Sequence, residues 1–176
     1  WSRRERAVRV IWALAQPLFR CSPRIAWGWR RAMLRRFGAS VGADVNIHPT
    51  TRIAIPWTLT IDDGAAIGDR AILYALGPMR IGARATISQN AHLCGGTHDH
   101  RDPAFPVVRS PITVADDVWI GADAFIGPGV EVGDGAIVGA RAVVVRDVPP
   151  GATVVGNPAR VVQAGTIDLI WPEAAE

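Results

Sequence analysis

The sequence predicts an all-β chain: a parallel β-helix of hexapeptide repeats, with an N-terminal helical segment and a protruding loop. Three observations carry that expectation. Branched aliphatic residues recur every six positions from Val41 to Val144. The first 37 residues follow a helical period instead. One step in the six-residue count is far too long for a single repeat.

The helical part comes first. Val8, Ile11, Trp12, Ala15, Leu18 and Phe19 fall at i, i+3, i+4, i+7 spacing, the pattern of one helix face. Pro17 and then Ser22-Pro23 are expected to interrupt it. A second basic, aromatic stretch follows with Trp27, Trp29, Met33, Leu34 and Phe37, and Gly38 suits a helix stop. Residues 1–38 therefore read as a helical leader or cap. Charge divides at the same place. Residues 1–37 hold ten Arg and one acid, Glu5, for a net +9; the remainder holds nine Arg and fifteen acids, for a net −6. There is no Lys, which reads as a coding bias rather than as chemistry.

From Val41 the period becomes six. The series is Val41, Ile47, Ile53, then Ile61, Ile67, Leu73, then Ile81, Ile87, Leu93. After a gap it resumes at Val114, Ile120, Ile126, Val132, Val138 and Val144. A period of six is the mark of a parallel β-helix, in which three hexads make one triangular coil. Each aliphatic points inward and stacks on its equivalent in the next coil. One coil cannot bury its own core, so neighbours must supply the stability. A β-sandwich would alternate at period two. Gly follows many of the aliphatics, as in Ile67-Gly68 and Ile120-Gly121, where a tight corner restricts the backbone. Residues 41–160 form the repeat domain and 161–176 a C-terminal tail.

The breaks in the count locate the chemistry. The steps Ile53 to Ile61 and Leu73 to Ile81 are eight residues, and Leu93 to Val114 is twenty-one. Residues 94–111 must therefore leave the prism as a loop, and long loops in compact domains are often functional. The loop holds His98 and His100 with Asp99 and Asp102 beside them. Histidine titrates near neutral pH, which suits a general base, and either carboxylate could orient it. Cys94 follows the inward Leu93 and reads as a packed or corner thiol. Two Cys, Cys21 and Cys94, are too few for a disulfide framework and fit a reducing compartment. No apolar run reaches eighteen residues, so no transmembrane helix is expected. The opening, without Met or a signal-type apolar stretch, reads as a trimmed start.

Several stretches resemble the colanic acid biosynthesis acetyltransferase family. They are Ile87-Ser88-Gln89-Asn90-Ala91-His92-Leu93-Cys94-Gly95-Gly96-Thr97-His98-Asp99-His100, Pro111-Ile112, Val118-Trp119-Ile120-Gly121-Ala122 and Ile126-Gly127-Pro128-Gly129-Val130. The closing runs Val138-Gly139-Ala140-Arg141, Asp147-Val148-Pro149-Pro150 and Gly156-Asn157-Pro158-Ala159-Arg160 match too, as does Phe37-Gly38-Ala39. Galactoside, nodulation-factor and streptogramin acetyltransferases are broader kin. The resemblance implies a left-handed helix, an exception to the right-handed crossover rule. It implies acetyl-CoA as donor, no required metal, and direct O-acetyl transfer to a sugar hydroxyl in polysaccharide biosynthesis. His98 matches the family's catalytic base. Trp119, Gly121, Ala122, Gly139, Ala140, Arg141 and Arg160 fall where cofactor contacts are expected. For the acceptor, Tyr74, Asn90, Asp99 and His100 are the candidates. Ile72 stands where the family often carries Asn, so the acceptor is not specified.

The same resemblance implies a homotrimer with active sites between subunits and a carbohydrate acceptor. The leader has three readings: a cap on the first coil, a peripheral contact with the inner face of the cytoplasmic membrane, or nucleic-acid binding, the least favoured. The expected location is the cytoplasm. Two rival functions share the fold. A γ-type carbonic anhydrase would need three His on zinc, for which His92, His98 and His100 could be counted. An inert scaffold would bind no coenzyme A. The Trp119 coil and the run Asn157-Pro158-Ala159-Arg160 favour the acyltransferase. His48 receives no role.

Overall fold

The computed structural model describes residues 2–163. Residues 164–176 of the expected tail lie outside the described residues. From Ser40 the chain winds as a left-handed parallel β-helix of five complete coils and part of a sixth. The first face stacks Ser40–Val41, Leu59–Ile61, Met79–Ile81, Ile112–Val114 and Glu131–Val132. A second face runs from Asn46–Ile47 to Thr153–Val155, and a third from Arg52–Ile53 to Val143–Val144. Arg160–Gln163 turns back antiparallel on Thr153–Val155 and closes the last coil.

The fifteen aliphatics of the six-residue count stand in register. Val41, Ile61, Ile81, Val114 and Val132 align on the first face. Ile47, Ile67, Ile87, Ile120 and Val138 align on the second. Ile53, Leu73, Leu93, Ile126 and Val144 align on the third. All are buried, and Ala65, Ala85 and Ala136 fill an inner corner between them. Burial of each large side chain contributes about 1.5–3 kcal/mol, realised only when the neighbouring coil is present.

The Gly after the aliphatic answers to crowding more than to backbone freedom. A Cβ on Gly121 would lie 2.6 Å from the amide nitrogen of Ala140 in the next coil. The left-handed corner positions are others: Asp44, Gly64, Arg84, Asp117 and Gly135 at the first corner and Arg70, Asn90, Asp123 and Arg141 at the second, with φ of 52–71°. Asp and Asn tolerate that region best among residues with a side chain.

Every lengthened step falls at the third corner, where the third face hands over to the next coil. The short 3₁₀ turn Pro56–Thr58 lies there, then residues 75–78, then the long excursion. The irregular chain is thus gathered on one edge of the prism.

The leader forms two helices, α1 (Arg3–Arg20) and α2 (Trp27–Arg36). Pro17, expected to interrupt the first, lies inside it. Its ring is tolerated near the helix end, and the Cys21 N–H bonds the Pro17 carbonyl at 2.8 Å to close the last turn. The expected single apolar face also divides. Trp12 and Phe19 are buried, whereas Ile11 and Leu18 are exposed.

The leader's packing has a chemical reason. Backbone groups of each coil bond both neighbours: Gly42 N–H donates forward to the Ile61 carbonyl, and Ile112 N–H donates back to the Pro78 carbonyl. The first-coil carbonyls that point back have no preceding coil to meet, and the leader supplies donors to them at Val41, Val45, Ile47 and Ile53. Arg35 donates to the carbonyls of Val41 and Gly42 at 2.8 Å each, and Arg31 donates to Val45 at 3.1 Å. Arg30 donates to Ile47 at 2.6 Å, and the Trp12 indole N–H to Ile53 at 2.8 Å. Arg30 is fully buried; it also donates to Ser22 Oγ and to the carbonyls of Pro23 and Arg24, and lies 4.7 Å from the centre of a Trp27 ring. Burial pushes its pKa below the ordinary arginine value. A Lys has neither the fork nor the donors for this, so the Arg content has a structural use at this end.

Candidate functional site

The excursion is a hairpin. Gly96–His98 pairs antiparallel with Val107–Arg109, placing Gly96 opposite Arg109, Thr97 opposite Val108 and His98 opposite Val107. Cys94 still belongs to the strand His92–Cys94, so the chain leaves the prism at Gly95. Its root is laced to the corner below. The Gly95 N–H bonds the Tyr74 carbonyl at 2.9 Å, and the Ser110 N–H bonds the Gly95 carbonyl at 3.1 Å. A Cβ on Gly77 would stand 2.5 Å from the Ser110 carbonyl oxygen, so only Gly lets the hairpin sit this close.

At the outer end, His98 Nδ1 lies 2.8 Å from the Phe105 carbonyl oxygen. A carbonyl only accepts, so Nδ1 carries the proton in the neutral ring and Nε2 keeps a lone pair. The imidazole stacks on the Phe105 ring, 4.4 Å between centroids and 11° from parallel. Phe105 aims its carbonyl through a left-handed backbone, φ 46°. The Asp102 carbonyl accepts its N–H at 2.8 Å.

Neither neighbouring carboxylate orients the imidazole, contrary to expectation. Asp99 accepts from the Arg101 N–H at 3.0 Å and Asp102 from the Ala104 N–H at 2.8 Å. Both are short polar side chains bonding backbone two residues on, the usual way such residues build turns. They shape the tip that presents Phe105. His100 is exposed at that tip.

The remaining candidates are spread over the prism. Trp119 is 41 % exposed on the second face, and its indole N–H donates to Ser88 Oγ in the preceding coil at 3.0 Å. Gly121 and Gly139 lie at stacked second corners, their N–H groups bonding the carbonyls of Val138 and Val154. Ala122 and Ala140 follow them, and Arg141 is exposed beside them. Arg160 is exposed at the far end, where it lines a cleft of about 190 Å³ with Arg146, Asp147 and Val161. Asn90 is taken up structurally: it holds a left-handed corner, and its Oδ1 accepts from Arg70 Nε at 2.9 Å. Tyr74 is paired with Cys94 at the hairpin root, its ring edge-on to His92.

His92 packs against Phe125 on the outer side of the third face, and burial pushes its pKa below the ordinary histidine value. It is not gathered with His98 and His100; among the described residues no three His, Cys, Asp or Glu side chains form a group suited to a metal ion. His48 bonds Thr50 Oγ1 and faces Asp69 at 3.2 Å within a second corner. Phe105 and Ser88 were not singled out from sequence. Neither carries a local signal, since each meets its partner only through hairpin closure or coil stacking.

A larger hollow of about 930 Å³ opens on the same third corner, between α1, the end of α2 and Trp57. Glu5 lines it, and hydrogen bonds with Ser2 hold the Glu5 carboxyl below its usual range, with a smaller effect from the charge of Arg109 on the hairpin.

A hexad solenoid bearing such a hairpin places the chain in the class of hexapeptide-repeat transferases. Residues 111–146 match the bacterial transferase hexapeptide (six repeats) family. Over 156 residues the chain is 42 % identical to a protein of Escherichia coli strain K12 assigned to colanic acid biosynthesis as an acetyltransferase; the match covers 89 % of this chain and 86 % of that one. A hexapeptide-repeat acetyltransferase from Vibrio cholerae, solved with acetyl coenzyme A, superposes with a TM-score of 0.86 at 27 % identity, covering 94 % of this chain and 91 % of that one. A maltose O-acetyltransferase from Clostridium difficile 630 superposes with a TM-score of 0.85 at 25 % identity, covering 94 % and 90 %. The chain belongs to the hexapeptide-repeat acetyltransferases, within the colanic acid biosynthesis acetyltransferase family.

Proposed function

We propose that this chain transfers the acetyl group of acetyl-CoA to a sugar hydroxyl during polysaccharide assembly, with His98 as general base. The observation that carries this is the Nδ1 contact with the Phe105 carbonyl, which leaves Nε2 as a lone-pair acceptor. Support for the donor comes from the Vibrio cholerae neighbour solved with acetyl coenzyme A. Support for a sugar acceptor comes from the relatives assigned to colanic acid biosynthesis and to maltose O-acetylation.

In this reading Nε2 takes the proton of the acceptor hydroxyl as its oxygen attacks the thioester carbonyl. The tetrahedral intermediate is met by a backbone N–H donor. It then collapses, the C–S bond breaks, and the departing thiolate of coenzyme A takes the proton back from Nε2. No acyl-enzyme forms. Trp119 and the small corners at Gly121, Ala122, Gly139 and Ala140 take the pantetheine arm. Arg160 and Arg141 take the phosphates, since guanidinium pairs well with phosphate. Tyr74 and His100 flank the acceptor.

The protein works as a trimer with sites between subunits. Its outer columns support this: the first face shows Ser40, Thr60, Arg80, Thr113 and Glu131, whereas the third shows Arg52, then Ile72, His92, Phe125 and Val143, uncharged aliphatic and ring side chains from the second coil onward that suit another copy. It acts in the cytoplasm, with the leader at the membrane face.

The test is coenzyme A release from acetyl-CoA with nucleotide sugars and oligosaccharides, for wild type and His98→Ala. Equal rates would remove His98 from the mechanism. Arg160→Ala should raise the acetyl-CoA KM about ten-fold with kcat nearly unchanged, the pattern of a residue that only binds. Sedimentation as a monomer would contradict the shared site.

A further inference from the structure

The outward side of α1 has a composition that its capping role does not require. Trp12 and Phe19 face the prism and are buried. On the opposite side of the helix, Val10, Leu14 and Leu18 recur at i, i+4, i+8, with Ile11 beside them. These four are 56–75 % exposed. Ile25 and Trp29, elsewhere on the leader, are exposed as well. A helix that only capped a solenoid would carry polar residues there.

The leader's charge divides in the same way. Arg30, Arg31 and Arg35 are engaged with carbonyls of the first coil. Arg3, Arg6, Arg20 and Arg24 are exposed outside that cap. Glu5, the only acid of residues 1–37, is tied to Ser2 in the capping box of α1. The outer surface of the leader therefore combines a four-residue apolar stripe with cationic charge and almost no anionic charge. The body beyond it carries a net negative charge.

We infer that Val10, Ile11, Leu14 and Leu18 of α1 form a docking face for an anionic lipid bilayer, flanked by Arg3, Arg6 and Arg20. The apolar residues enter the headgroup boundary and the guanidinium groups pair with lipid phosphates. No helix of the described residues is long and apolar enough to cross a membrane, so the contact is peripheral. The negative body is repelled by the same surface, which orients the leader toward it. Charge selects the lipid over a second copy of this chain, because two leaders face to face would bring their guanidinium groups together. Ile11 belongs both to this face and to the hollow beside Trp57. Docking thus sets the mouth of that hollow, on the edge that carries the hairpin, at the lipid surface.

This deepens the membrane reading above and does not depend on the acetyl-transfer chemistry, because the test involves no substrate. The purified chain of residues 1–176 is mixed with vesicles of phosphatidylcholine alone or with about 30 % phosphatidylglycerol and floated on a gradient. Anionic lipid should raise the partition coefficient about ten-fold or more, and high salt should abolish the gain. Leu14→Glu should lower partitioning about ten-fold with an unchanged melting temperature, since Leu14 makes no part of the cap. Arg6→Gln should lower it about five-fold. Absence of flotation, equal binding to neutral vesicles, or binding indifferent to Leu14→Glu would each overturn the inference. So would a concentration-dependent dimer lost in Leu14→Glu, which would make the stripe a contact between copies, or duplex RNA binding without vesicle binding.

Discussion

Of the side chains held by backbone carbonyls in this molecule, Arg30 and His98 are held with opposite results. Arg30 gives four hydrogen bonds, is fully buried and stacks on Trp27. His98 has its Nδ1 held by one carbonyl, is exposed and stacks on Phe105. The same acceptor serves stability in one place and, in the function proposed above, reactivity in the other. The distinction lies in what is left over. Arg30 has four of its five N–H donors engaged and is buried from solvent. His98 keeps Nε2 open, and its single anchor fixes the tautomer.

Substitutions can break that comparison in either half. The largest expected effect is on activity. His98→Ala should lower kcat/KM by about 10²–10⁴-fold, while thermal unfolding stays within a degree or two of wild type because the ring buries little. A matching loss of stability would make His98 structural. Arg30→Ala should show the reverse, a loss of about 3 kcal/mol or more from buried carbonyls left unpaired, read as a fall in melting temperature. Normal stability would mean the cap is not organised around it. Trp12→Phe removes one donor from the same cap and should cost about 1–2 kcal/mol.

The smallest effect is a change in pH dependence. Burial holds the folded-state pKa of His92 below its unfolded value of 6.5. The unfolded chain then binds the proton more readily, so stability is lost as pH falls through about 6.5 toward the folded value. His92→Gln should flatten part of that acid-side decline. Identical melting profiles from pH 7.5 to 5 would place the decline elsewhere, with His48 the next candidate because its pKa is lowered by burial too.

Much of the frame was legible from the residues. Counting by six identified fifteen inward positions, stopping short of Val148 and Val154 in the last coil, and exposed the excursion that carries His98. The count works because each hexad contributes one inward side chain whatever its neighbours are. The site was legible only in part. His98 could be located, but not the group that orients it. Asp99 and Asp102 are adjacent in sequence, yet both turn back on their own loop. Asn90, an acceptor candidate by resemblance, also holds a left-handed corner and accepts from Arg70, a contact made one coil away in sequence. The α1 pattern merged two faces, because a helical period marks amphipathic spacing without saying which apolar residues a neighbour will cover.

The sequence by itself determined the β-helix, its register and the edge from which the hairpin leaves. These follow from a repeat whose pairing partners lie a fixed number of residues away. Only the tertiary structure decided what the Arg of the leader are for and which carbonyl meets His98. The first depended on the first coil having no coil before it, so that its Val41, Val45, Ile47 and Ile53 carbonyls meet leader side chains instead. The second depended on a hairpin closing over seven residues with Phe105 in a left-handed backbone. Both are contacts between groups that no local pattern brings together.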